Sequence, residues 1–210
     1  MSEPKVPAIG PRIRRERTAR AMTIRGLARD IGVSASLISQ IETGKSQPSV
    51  STLYAITSAL GVPLEDLFDS DEPDGRAPVP AASDDAGMNY ISTDRTKELG
   101  PHVAPEEREV LTLDSGVTWQ RLGQVPHHHV DFLLVTYEPG GSSSRHNELM
   151  RHNGTEYGYL ISGELVLTLG FDEHRLGPGA AVCFESATPH RYRNDGDVPA
   201  VGVWFVVEPS

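Results

Sequence analysis

The strongest constraint on this chain is a change of hydrophobic period part-way along it. Ile24, Leu27, Ala28 and Ile31 fall at the i, i+3, i+4, i+7 positions of one helix face, with Thr23 before them and Gly32 after them. A threonine can cap the free N–H groups that open a helix, and a glycine suits the left-handed turn that closes one. The same grammar repeats with Ser34, the stripe Leu37, Ile38 and Ile41, and Gly44. Pro48-Ser49 opens a further run (Val50, Leu53, Ile56, Leu60) that ends at Gly61, and Pro63 opens a short one with Leu64, Leu67 and Phe68. With a first helix over residues 10–20, the spacing predicts five helices within residues 9–69.

From residue 109 the period becomes two. Short β-branched runs recur at 109–113, 117–122, 130–137, 156–160, 164–169, 181–184, 191–193 and 200–207, separated by turn clusters such as 139–141, 177–179 and 194–196. Many short strands at regular spacing predict a sandwich or barrel. Between the two patterns, residues 70–88 are rich in Pro, Asp, Ala and Gly and show no period, the composition of a flexible linker. The expected organisation is α+β in two domains: helices over 9–69, a linker over 70–88, and a β-domain over 89–210.

Charge sharpens the division. The net formal charge is −10, which disfavours contact with phosphate. Yet residues 1–48 hold nine basic and four acidic side chains, a local charge of +5, while residues 70–210 carry −12. A basic end on an acidic chain points to nucleic acid at the basic end. Cys183 is the single cysteine, so no disulfide forms within the chain, as suits a reducing cytosol. The sequence has no apolar run of the length a membrane helix needs and no signal-peptide core, so a soluble cytoplasmic chain is expected.

Two short helices separated by Gly32-Val33-Ser34 match what a helix-turn-helix requires. The second helix must enter the major groove, so its exposed residues near the N-terminus must be short and polar. Ser34, Ala35, Ser36, Ser39 and Gln40 meet that need. This segment resembles the XRE-type helix-turn-helix of lambda-repressor-like proteins, through Leu27-Ala28, Gly32-Val33-Ser34, Ile38-Ser39, Ile41-Glu42, Gly44, Pro48-Ser49, Leu53 and Ala59-Leu60-Gly61. The resemblance implies that Ala35, Ser36, Ser39 and Gln40 face base edges and that Ser34 and Lys45 contact phosphate. Arg25 is grouped with the DNA-contacting residues as a basic side chain beside them. The resemblance also pairs Arg17 with Glu42. Gly26 departs from the family pattern, which has an acidic residue there to complete a capping box.

In the β half, His152 and Glu156 stand four apart at the entry to a strand, and His190 opens a later one. Two histidines and a carboxylate are a common ligand set for non-haem iron and suit other divalent metals. Residues 131–207 resemble a cupin barrel (a double-stranded β-helix, or jelly roll): Gly140/Gly141, His152, Glu156 and Gly163 match its first motif, and Gly177-Pro178-Gly179, Pro189-His190 and Asn194 its second. The resemblance aligns Met150 with the first metal-binding His of the family, and a thioether is a poor ligand for iron, manganese or zinc. Two readings therefore stay open. His152, Glu156 and His190 hold a divalent metal (Fe, Zn, Mn or Ni), or the same residues hydrogen-bond an organic effector. Strand parity adds Gly158 and Leu160 on the face of Glu156, and Tyr192 on the face of His190. The expected effector pocket is His152, Glu156, Leu160, His190 and Tyr192, with Gly158 leaving room for a ligand. His127, His128 and His129 are consecutive, cannot converge on one side, and read as a solvated loop.

The combined expectation is a bacterial DNA-binding transcription regulator, not an enzyme: a homodimer on an inverted-repeat operator, modulated by a small molecule in the cupin pocket. The rival is an iron-dependent cupin enzyme resembling hydroxypropylphosphonate epoxidase, which also joins an XRE-like domain to a cupin.

Overall fold

The computed structural model describes residues 8–67, 102–124, 130–144 and 148–207. The expected linker, Phe68 and the His127, His128, His129 tract lie outside them.

Four α-helices form the N-terminal unit: α1 (Ile9–Ala19), α2 (Ile24–Asp30), α3 (Ala35–Glu42) and α4 (Val50–Leu60). The caps are those the sequence offers. Thr23, Ser34 and Ser49 accept from the backbone N–H of Gly26, Leu37 and Thr52 at 2.9, 3.1 and 3.2 Å. Gly61 closes α4 in the left-handed region, at φ 62°. The five-helix expectation is not met among the described residues, because the fifth segment is a single 3₁₀ turn, Leu64–Leu67. Four residues make too few i→i−4 bonds to offset nucleation, and burial of Leu64 and Leu67 holds the turn instead.

Ile13, Leu27, Ile38, Ile41, Leu53, Ile56 and Leu60 form the helical core. Helices α1 and α3 meet at Gly10, where a Cβ would lie 2.3 Å from the Ile41 carbonyl oxygen. Only glycine permits that approach. Beside it, the buried Arg17 guanidinium donates to both carboxylate oxygens of Glu42, at 2.5 and 2.9 Å, and to the Met22 carbonyl at 2.7 Å. This pair ties the start of the bundle to the end of α3.

Nine strands follow: β1 (Val110–Leu113), β2 (Val117–Gly123), β3 (Val130–Tyr137), β4 (Thr155–Ser162), β5 (Leu165–Leu169), β6 (Asp172–Leu176), β7 (Ala181–Glu185), β8 (His190–Arg193) and β9 (Ala200–Val207). They make an antiparallel six-stranded sheet, ordered β1-β2-β3-β9-β4-β7, and a three-stranded sheet, β6-β5-β8. Burial alternates along β3 and β9 so that Leu133, Val135, Tyr137, Trp204 and Val206 point inward. Strand β6 was not anticipated. Its sequence, DEHRL, is exposed except for Leu176 and carries no period-two signal.

Cutting the Arg17–Glu42 pair should be costly, because it leaves a charge buried without its partner. Glu42→Ala is expected to lower the unfolding free energy of the helical unit by roughly 3–5 kcal/mol, read by denaturant melts. A loss below about 1 kcal/mol, the range of an exposed pair, would contradict this account.

Candidate functional site

The candidate recognition surface lies on α3. Ile38 and Ile41 are fully buried and anchor the helix, while Ser36, Ser39 and Gln40 are exposed on its other side and Ala35 is half-buried. Ser34 is exposed and caps α3; its oxygen accepts from Leu37, so its hydroxyl hydrogen stays available to donate to a phosphate. Arg25 and Lys45 are exposed to either side of this surface. The α1 arginines are less available, since Arg12, Arg15 and Arg20 surround Glu16 at 3.9, 3.5 and 2.8 Å.

The barrel brings together the three residues singled out for a metal or an effector. Ligand atoms of His152, Glu156 and His190 all lie within 4.8 Å of one another, and all three residues are buried. Each imidazole is oriented from behind: His152 Nδ1 sits 3.1 Å from the Asn153 carbonyl oxygen and His190 Nδ1 2.8 Å from that of Thr188. A carbonyl only accepts, so each Nδ1 carries the hydrogen and each Nε2 presents a lone pair. Both Nε2 atoms are buried without a hydrogen-bond partner. Two orphaned imidazole nitrogens beside a carboxylate fit a divalent cation.

Burial tunes these groups toward neutrality. It pushes the Glu156 carboxyl up to about 8, against the hydrogen bond from Tyr192. Burial, with His190 nearby, pushes His152 down to about 4; burial lowers His190 as well. The 3.6 Å approach of His190 Nε2 to Glu156 is thus a contact of uncharged groups at neutral pH, not an ion pair. Tyr192 donates to Glu156 at 3.5 Å and accepts from the Trp204 indole N–H at 3.3 Å.

Glu156 and Tyr192 open onto a cavity whose walls include Trp119, Tyr137 and Trp204. His152, His190 and Leu160 are buried in the barrel but do not line it. The space beside Gly158 is not free for a ligand either. A Cβ there would lie 2.7 Å from the Trp204 ring, and one on Gly202 2.3 Å from it, so the two glycines make room for that indole. Met150 lines the cavity and exchanges two backbone hydrogen bonds with His190, at 2.9 and 3.0 Å. One wall comes from the helical unit: Val50 and Tyr54 of α4. The Tyr54 ring stacks on His152, with centroids 3.9 Å apart and planes 5° apart, and meets Trp119 edge-on at 5.9 Å. Sequence reasoning missed Tyr54, Trp119 and Trp204. The glycine alternation of β4 and β9 marked an enclosed bulky group; nothing local marked Tyr54.

Two family models match the chain, a helix-turn-helix over residues 13–67 and a cupin domain over residues 133–206. The chain joins an XRE-type helix-turn-helix to a cupin. It is homologous along most of its length to the HTH-type transcriptional regulator PuuR of Escherichia coli, at 26% identity over 188 residues, 89% of this chain and 88% of that one. The HTH-type transcriptional regulator SutR of the same organism is 23% identical over 181 residues, 86% and 84% of the two chains. In fold, it matches the crystal structure of an HTH_3 family transcriptional regulator from Vibrio cholerae, with a TM-score of 0.64 over 97% of each chain and 19% identity. This XRE-cupin chain is a DNA-binding transcriptional regulator.

The Glu156 shift has a measurable consequence. Between 4.5 and about 8 the folded chain keeps a proton that the unfolded chain has released, so stability of the metal-free protein falls as pH rises through that window. Glu156→Gln removes this loss. With chelator present, its melting temperature should exceed that of the wild type at pH about 8.5 and converge with it at about pH 5. A gap independent of pH would contradict the assignment.

Proposed function

We propose that this regulator binds an inverted-repeat operator as a homodimer and that a small molecule in the cupin pocket modulates the binding. The observation that carries the DNA reading is the α3 surface. Ser36, Ser39 and Gln40 are exposed on a helix held from behind by Ile38 and Ile41 and capped by Ser34. Short polar groups can approach base edges, with Gln able to make a bidentate contact to adenine. Ser34, Arg25 and Lys45 flank that surface, where phosphate lies. Affinity comes mainly from these backbone contacts and is strongly salt-dependent. No described helix is long and apolar enough to cross a membrane.

A dimer places two α3 helices in successive major grooves about 34 Å apart. The outer face of β4 and β9 supports this assembly. Tyr157, Tyr159, Ile161, Phe205 and Val207 are all exposed there, on adjacent strands. A contiguous apolar face of this kind is a liability on a monomer and suits a second copy of the barrel.

The cupin pocket is the effector site in this reading, through Glu156, Tyr192 and the two histidines. A divalent cation, where one is bound, is held by His152, Glu156 and His190 and supplies a Lewis-acidic anchor for an oxygen or nitrogen atom of the effector.

Mobility shifts on the region upstream of its own gene test the reading directly. The wild type should bind one sequence selectively; binding of equal strength to all duplexes at moderate salt would overturn it. Gln40→Ala should relax selectivity at one position of each half-site, at a cost of about 1–3 kcal/mol. Lys45→Ala should weaken all sequences alike and reduce the salt slope by about 2, one phosphate contact being lost in each half-site. Light scattering should show a dimer that Tyr159→Glu converts to a monomer.

A further inference from the structure

The cavity has two kinds of wall. Trp119, Val135, Tyr137, Tyr192 and Trp204 stand on strands, each held by ladder hydrogen bonds. Val50 and Tyr54 stand on α4, which belongs to the other domain. Two backbone hydrogen bonds join the start of that helix and the residue before its cap to the barrel: Ser51 N–H to the Ser143 carbonyl and Asp114 N–H to the Pro48 carbonyl, both 2.9 Å. The stack of Tyr54 on His152, its edge contact with Trp119 and the packing of Leu64–Leu67 on β3 add to the docking.

The space is narrow. Water centres can occupy about 20 Å³ of it, which is room for one or two waters. An organic molecule of several heavy atoms requires a wall to move. Moving a strand breaks a continuous ladder. Moving α4 breaks no ladder; it parts the hydrogen bonds at Ser51 and Pro48 and the ring contacts of Tyr54.

We propose that α4 is the movable wall of the effector pocket and Tyr54 its plug: a compact organic effector, with an apolar body and one polar end seated on Glu156 and Tyr192, displaces Tyr54 and undocks the DNA-binding domain. This rests on the reading of the cupin pocket as the effector site. It adds that pocket filling and domain docking exclude each other, so the effector acts by releasing the helix-turn-helix from the barrel. Tyr54 also sets specificity by size, because ligands small enough to fit beside it leave the domains docked.

A side chain can stand in for the unidentified effector. Val135→Phe adds ring volume to the cavity of the full chain. The readout is amide hydrogen exchange at Ser51 and Asp114. Ser51 is in the first turn of α4, where an N–H has no intrahelical acceptor, so its protection reports docking alone. Both amides should exchange at least tenfold faster in Val135→Phe, with the amides of β5 unchanged as proof of a folded barrel. Tyr54→Ala opens the space that the new ring needs, so the double variant Tyr54→Ala/Val135→Phe should exchange more slowly than Val135→Phe alone. Wild-type exchange at Ser51 and Asp114 in a folded Val135→Phe protein overturns the proposal, as does a double variant as fast as the two effects combined. If Val135→Phe loses β5 protection, Leu133→Phe at the neighbouring inward position carries the same two outcomes. The measurement uses neither DNA nor effector. Failure of operator binding would therefore sink the regulatory reading without touching this result, and unchanged exchange would sink the movable wall with DNA binding intact.

Discussion

Helix α4 is buried on two sides, and most of the architecture follows from that. Leu53, Ile56 and Leu60 face the helical core, where Ile13, Leu27 and Ile38 also lie. Val50 and Tyr54 face the barrel cavity, and Tyr54 is 3% exposed. Eleven residues thus serve as a core element of one domain and a wall of the other. An amphipathic surface helix needs a single apolar stripe. This one carries a second stripe of two residues because a second core begins there. Helix α3 precedes it by a short connection, residues 43–49, so the helix proposed to read DNA and the helix that walls the pocket are chain neighbours.

The pocket chemistry depends on the same closure. His152 is depressed and Glu156 raised chiefly because both are out of water. The Tyr54 ring lies flat on His152 and contributes to that exclusion. In the proposed undocked state solvent reaches both groups and moves each back toward its ordinary value.

The helical unit was legible in sequence because its signals are local. Caps at Thr23, Ser34 and Ser49 and terminating glycines act over three or four residues, and the Arg17–Glu42 pair lies within the matched motif. The strands with a buried face were legible for the same reason; β3 and β9 have the expected bounds. Strand β6 was not, because it is an edge strand wet along nearly its whole length. The meeting of His190 with His152 and Glu156 was readable only through resemblance, since His190 comes from a separate segment. Gly158 was misjudged because parity shows which face a glycine lies on, not which neighbour fills the space beside it; Trp204, on the adjacent strand, fills it. Tyr54 was illegible outright. Its role depends on how two domains dock, and no residue within a helical turn of it encodes that.

The energetic scale of that docking bounds what the pocket can do to DNA affinity. An aromatic stack contributes about 0.5–1.5 kcal/mol beyond its area burial, and each backbone hydrogen bond about 0.5–1.5 kcal/mol net. The Tyr54 stack and the bonds at Ser51 and Pro48 are among the contacts that hold the helical unit to the barrel, beside the burial of Val50 and Tyr54. Under the proposed undocking, an effector shifts operator affinity by no more than it gains in opening these contacts, and each 1.4 kcal/mol or so is tenfold in affinity. Helix α3 has its own anchors, since Ile38 and Ile41 are locked in a packed core. In the proposed undocking the helix-turn-helix therefore moves as a body. In a dimer the variable is then the spacing of two rigid readers, and spacing is what an inverted repeat measures.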